Sequence, residues 1–271
     1  MLEGGRLSEA ELVFFDWTEI LLGRVGGRLL QFFYMLWFIH ITTVIINEFG
    51  YFMNIAFLPV ALVFTALLLV LTGVAVYGGV ETIGRLSIMV LPVTLAIILG
   101  LTIMAAGLYD FSNLLPFLER GMAPVVAGAV PPGTWHDEVF LGAMLFPFLA
   151  RPSIGGWVLC RAVLYITVLL VLDALAVDLA SETARLSLPV YSLAREINLL
   201  HFFQHLEVFV LAAWVAGAFC KLAVWYYVIV LGMAQWLNLR SYRVLPADLL
   251  LAALSLVRKR KLKPDLVQGS P

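Results

Sequence analysis

The sequence predicts an all-α fold, a polytopic membrane helix bundle. Three observations predict it. Hydrophobic residues make up 62% of the 271-residue chain and charged residues only 13%, where soluble domains carry roughly 25% charged residues. Mean hydropathy is +0.99, more apolar surface than a soluble protein of this size can hide. The apolar residues also gather into runs that approach or exceed the roughly 20 helical residues needed to cross a bilayer core of about 30 Å.

Several function classes drop out at once. The formal net charge of −1 argues against a nucleic-acid partner. Cys160 and Cys220 lie inside apolar runs with no CxxC spacing, and read as packing residues. The N-terminal MLEGGRLSEAEL has acids where a signal peptide needs bases. No nucleophilic triad, P-loop or HExxH is present, and only His201 and His205 among the histidines share an i,i+4 spacing. No enzyme, cofactor or metal site is expected.

The chain divides into an N-terminal cytoplasmic segment (1–26), a membrane helix bundle (27–257) and a basic tail (258–271). The first run, 29–46, follows a loop-like GRVGG. A turn at 49–54 leads to the second run, 56–77. The short stretch GGVETIGR at 78–85 then turns into the third run, 86–108. A linker over 109–138 is rich in proline and glycine, and its apolar middle, 121–130, is read as dipping into the membrane. Run 139–150 is too short for an ordinary span and holds Gly142 and Pro147. Run 157–180 is long enough but carries Arg161, Asp173 and Asp178. Residues 187–200 read as an amphipathic interfacial helix. Run 208–237 must tilt or overshoot, and 245–257 reads as a shallow or re-entrant segment.

Orientation follows from Lys and Arg. With the N-terminus inside, the inner ends hold Arg6, Arg24, Arg28, Arg85, Arg151, Arg161, Arg240 and Arg243. The outer ends hold only Arg120, Arg185 and Arg195.

The intramembrane polar residues are the candidates for function. Lys221 is the sharpest. It lies roughly 20 Å from either end of its run, too far for its side chain to snorkel. It faces either an ion or carboxylate near the midplane, or backbone carbonyls of a broken helix. His40 and Asp173 are expected at similar depth, where they would pair or relay protons, or else bond separately to neighbours. Tyr34, Trp37, His40 and Ile41 form an aromatic stripe that lines a site or packs. Glu81 and Arg85 are four apart and pair if helical, as a plain surface pair or as an inner gate latch. Glu207 and Trp214 share a helix face. Gly142 and Pro147 mark either an unwound ligand-binding segment or an ordinary kink.

Four stretches together resemble the B-subunit, permease-like family of bacterial spore germination receptors. They are FDWTEILLGRVGGRLL (15–30), GGVETIGR (78–85), NLLPFLERGMAPVVAGAV (113–130) and LSLPVYSLAREINLLHFFQHLEVFVLAAWVAGAFCKL (186–222). That family is part of the amino acid–polyamine–organocation transporter superfamily. The resemblance implies a ten-span, inverted-repeat, leucine-transporter-like fold. On that numbering this chain holds spans three to nine, with the first two and the tenth expected to be missing.

The resemblance makes 139–150 the broken sixth span, near which a small nutrient germinant such as an amino acid would bind. It favours a lysine at Lys221. It also implies an arginine two residues before Glu207, where this chain has His205. Its implied partners are an A-type membrane subunit and a C-type lipoprotein, in the inner membrane of the spore. The alternatives are an autonomous amino-acid or cation secondary transporter, or a truncated, non-functional remnant.

Overall fold

The computed structural model describes residues 14–56, 61–104, 121–124, 126–127, 138–149, 151–176, 206–237, 239 and 241–244. Every regular element among them is helical. These are α1 (Phe14–Ala56), α2 (Ala61–Gly78), α3 (Val80–Met104), α4 (Glu138–Leu145), α5 (Pro152–Ala176) and α6 (Leu206–Trp236), with 3-10 turns at Phe146–Phe148 and Tyr242–Val244. Among the described residues, three segments are long and apolar enough to cross a membrane: Trp17–Asn54, Val80–Met104 and Val208–Trp236. The chain forms two compact units, Met1–Leu86 with Ala218–Pro271, and Ser87–Gly217.

In the first unit, GRVGG is not a loop. The chain stays helical on both sides of Gly23, which alone breaks the helix with φ 72 and ψ 170. That backbone region is open essentially to glycine only. The limb before the break folds back over the helix after it. A Cβ on Gly27 would sit 2.6 Å from the Glu19 Cα, so the two backbones meet where only hydrogen fits.

A buried amide holds the fold-back together. Gln31 Nε2 donates to the Phe15 carbonyl at 2.8 Å and to Thr18 Oγ1 at 3.0 Å. The Thr18 hydroxyl donates to the same carbonyl at 2.7 Å. Arg28 and Glu19 add a part-exposed ion pair at 3.4 Å.

The expected turn at 49–54 is helical as well, and α1 runs unbroken to Ala56. The reason lies in the inward face. Met35, Phe38, Ile45, Phe49, Phe52 and Met53 are all buried, at the three- and four-residue steps of one helix face. Glu48 and Asn54 stay on the exposed side, and the Asn54 amide donates back to the Gly50 carbonyl at 2.9 Å. Gly50 faces α2, 3.7 Å from Thr65 Oγ1 by its absent Cβ. Small residues of this kind let membrane helices approach closely. After Gly23, α1 extends about 50 Å and must tilt or project beyond the core.

The turn between α2 and α3 is shorter than GGVETIGR suggests. Gly79 alone breaks the helix, with φ 89, and VETIGR already belongs to α3. The Gly79 N–H donates to the Val76 carbonyl at 3.0 Å, and Ile83 N–H donates to the Gly79 carbonyl at 3.2 Å. Thr82 Oγ1 closes the corner onto the Gly78 carbonyl at 3.0 Å. Glu81 stands in the first turn of α3, where a negative charge suits the helix dipole.

Helix α6 matches the expected 208–237 run closely. From Ala218 onward it belongs to the first unit and packs antiparallel to α1. Phe32 meets Trp236 at 6.1 Å between ring centroids, and Phe38 meets Trp225 edge-on at 5.7 Å. Between them a Cβ on Gly232 would lie 2.8 Å from Met35 Sδ and 2.6 Å from the Phe15 ring.

In the second unit, the short 139–150 run is a short helix that breaks at its proline. Helix α4 ends at Leu145, the 3-10 turn contains Pro147, and Leu149 is extended (φ −81, ψ 136). The chain then reverses into α5. A Cβ on Gly142 would stand 3.0 Å from Leu159, and one on Gly155 2.6 Å from Leu149. Helix α3 runs through Pro92. Of the expected dip at 121–130, residues 122–124 and 126–127 are helical. The 187–200 and 245–257 segments and the basic tail lie outside the described residues.

Candidate functional site

The antiparallel register of α1 and α6 sets up the candidate site. Phe32 pairs with Trp236 and Phe38 with Trp225. One further turn of each helix brings Thr42 level with Lys221. Lys221 and Trp225 are themselves four apart, so they share a face of α6. Lys221 is half-buried.

Among the described residues, two polar atoms at this level are buried without a hydrogen-bond partner: Thr42 Oγ1 on α1 and Trp225 Nε1 on α6. Trp225 is only 1% exposed. An unsatisfied buried donor or acceptor costs about 1–3 kcal/mol. A third such atom, Gln235 Oε1, lies nearer the α6 C-terminus. Both helices supply candidate membrane spans, where few waters are at hand to satisfy such groups.

The stripe read from the sequence sits differently. Tyr34 is half-buried and packs on Phe38 at 6.0 Å. Trp37 and His40 are exposed, with their rings 6.2 Å apart. The buried face of α1 passes instead through Gln31, Met35, Phe38 and Ile45. Because α1 runs to Ala56, His40 stands about 24 Å from that end, deeper than the run 29–46 implied. Asp173 belongs to α5 in the other unit, and its side chain, like that of Glu207, lies outside the described residues.

Residues 8–260 match the family model for spore germination proteins of the permease type. The chain belongs to the spore germination protein family. It is 28% identical over 231 residues to spore germination protein KB of Bacillus subtilis (strain 168), covering 80% of this chain and 61% of that protein. It is 22% identical over 232 residues to spore germination protein YndE of the same organism, covering 82% of this chain and 63% of that protein. The chain thus spans about three fifths of the length of these relatives. No solved structure matches it. The family is one of permeases, not of enzymes.

In this spore germination protein the charged corner is well defined. Arg85 and Glu81 pair at 2.6 Å within the first turns of α3, both about three-quarters exposed. The pair lies within one helix and, among the described residues, joins no second element. What does reach the corner from elsewhere is the segment after α6. The Tyr242 hydroxyl lies 2.9 Å from where a Cβ on Gly79 would be. Arg243 lies 5.8 Å from the centroid of the Tyr77 ring.

The corner and the segment after α6 therefore meet in the first unit. Arg85 and Arg243, both at this corner, are residues the charge pattern assigned to one side. Sequence reasoning missed Gln31, Thr42, Trp225 and Tyr242. Only the spacing of Gln31 and Thr42 with Met35 and Phe38 along one helix face pointed to the first two.

In the second unit, Gly142 packs against α5 while Pro147 sits in the 3-10 turn that follows. Arg161 lies over the Trp157 ring at 4.6 Å, one turn along α5. Among the described residues no group of three His, Cys, Asp or Glu side chains could hold a metal.

Proposed function

We propose that this chain is the permease-like subunit of a spore nutrient-germinant receptor, in the spore inner membrane, built on a leucine-transporter-like inverted-repeat bundle. Its ligand is a small nutrient with a carboxylate, such as an amino acid. The observation that carries this reading is that Thr42 Oγ1 and Trp225 Nε1 are buried with no hydrogen-bond partner among the described residues, on helix turns that the α1–α6 register brings level with Lys221. A carboxylate ligand would accept from the indole N–H and the ammonium, and the threonine hydroxyl would bond to its polar remainder. Family membership supports the germination role. The break at Pro147, in the run that resembles the sixth span, supports the transporter-type fold.

Ligand binding would shift the bundle, and an A-type membrane subunit and a C-type lipoprotein would transmit that shift. The test is a dose–response series in spores. A Trp225→Phe receptor is expected to need about tenfold more nutrient, the value of one charge-assisted hydrogen bond, and Lys221→Gln to lose the response, both at normal abundance in the membrane. A knockout that germinates normally with every nutrient tested would sink the proposal. Uptake of the nutrient by the purified chain alone in liposomes would favour an autonomous transporter.

A further inference from the structure

We propose that Tyr242 and Arg243 are positioning residues that brace the α2–α3 corner against the end of α6. The corner itself is thin. One residue, Gly79, joins the two helices, held by its N–H on the Val76 carbonyl, its carbonyl under the Ile83 N–H, and the Thr82 hydroxyl on the Gly78 carbonyl. Bonds this local leave the turn at Gly79 weakly fixed unless something outside packs on it.

The 3-10 turn after α6 supplies that packing by two contacts. Tyr242 stands edge-on to Tyr227, with ring centroids 5.5 Å apart, and its hydroxyl caps Gly79 so closely that a Cβ there would lie 2.9 Å away. Tyr227 is buried, 2% exposed, so the brace is anchored in the body of α6. Arg243 reaches the Tyr77 ring at 5.8 Å, within cation–π range. The Ser241 hydroxyl accepts from the Arg243 N–H at 3.3 Å and closes the turn that presents both side chains.

The Glu81–Arg85 pair cannot do this work, because both partners belong to the same helix. The brace ties residues more than 160 positions apart. Its other end is the helix that carries Lys221 and Trp225. A movement of α6 along its axis is therefore passed to the charged corner through Tyr242. The link from ligand to corner rests on the nutrient-site reading above; the brace itself does not.

Hydrogen exchange on the purified full chain in lipid nanodiscs, without nutrient, tests the brace alone. The reporter is the segment 76–86, which contains the two backbone hydrogen bonds of the corner. Arg243→Ala, an exposed position, is expected to speed exchange there about two- to fivefold. Tyr242→Ala is expected to speed it by up to about tenfold. Glu81→Gln and Arg85→Gln are expected to change it by less than about twofold. Wild-type exchange in Arg243→Ala and Tyr242→Ala, or a larger effect from the charge-pair variants, overturns the proposal. If Tyr242→Ala does not accumulate, Arg243→Ala decides alone. Because no nutrient is present, this result stands or falls apart from the germinant reading.

Discussion

Gln31 donates its side-chain N–H to the backbone carbonyl of Phe15, sixteen residues earlier and across the helix break at Gly23, at 2.8 Å. The amide is 3% exposed. It ties the two limbs that meet at Gly23 and turns an apparently plain membrane helix into a hairpin. Gln31→Leu leaves the Thr18 hydroxyl and the Phe15 carbonyl without this donor. A loss of about 1–2 kcal/mol is expected. Thermal unfolding of the detergent-purified chain, with protease nicking between residues 14 and 30, checks it. Unchanged stability and unchanged nicking would remove the hairpin from the account.

Gly23→Ala puts a methyl group on a backbone conformation that only glycine adopts freely, at an expected cost of about 1–3 kcal/mol. There is open space around that position, so the effect is one of backbone strain alone. Gly27→Ala differs in kind. Its methyl would collide with the Glu19 backbone, and the limbs would have to part. Circular dichroism is expected to show helix retained in both variants. Thiol labelling of a cysteine placed at Phe15 is expected to rise more in Gly27→Ala than in Gly23→Ala.

Gly232 is the contact where α6 meets both limbs of α1. Gly232→Ala places a methyl against the Phe15 ring and Met35 Sδ, a clash with flexible side chains expected to destabilise by about 1–3 kcal/mol. Trimming Phe15 to leucine makes room for it. The double variant is therefore expected to be less destabilised than the sum of the singles, by about 0.5 kcal/mol or more. Strict additivity in a double-mutant cycle would show that the two positions do not meet.

Thr42→Val removes an unpartnered hydroxyl from a buried site at nearly constant volume. The empty protein is expected to keep its stability or gain about 1 kcal/mol, because no hydrogen bond is lost and less polar surface is buried. The nutrient response is expected to weaken, and Thr42→Ser to preserve it. Melting of the purified chain and germination of the variant spores are read side by side. A Thr42→Val protein that is destabilised would mean the hydroxyl already has a partner in the folded state.

Glu81→Gln and Arg85→Gln each break an exposed i,i+4 pair. Such pairs contribute about 0.2–0.5 kcal/mol, and high salt removes most of that. Each variant is expected to shift the melting midpoint by no more than a degree or two (roughly, for a domain of this size). A larger, salt-insensitive loss would show that the pair engages something beyond α3.

The solvent, the helices and the family were all legible in the order of the amino acids. Hydropathy over a window reports whether a segment sits in water or lipid, so the runs that became α1, α2, α3, α5 and α6 were legible. The short, proline-broken α4 was legible too, and so was the i,i+4 pairing of Glu81 with Arg85, since helix periodicity is local. Lys221 stood out because a lone cation in an apolar run is conspicuous.

Where the helices break, and which faces turn inward, came from packing between helices. GRVGG and GGVETIGR looked like loops, yet in each a single glycine with positive φ breaks otherwise continuous helix. Composition marks a glycine as permissive without saying which one bends; the contacts of its neighbours choose. Phe49–Asn54 looked like a turn because its polar residues were conspicuous, but Phe49, Phe52 and Met53 are gripped from inside and hold the helix straight through. Tyr34, Trp37 and His40 have helical spacing, as do Met35, Phe38 and Thr42 on the adjoining face. Periodicity gives a face its shape, and only a partner helix gives it a direction.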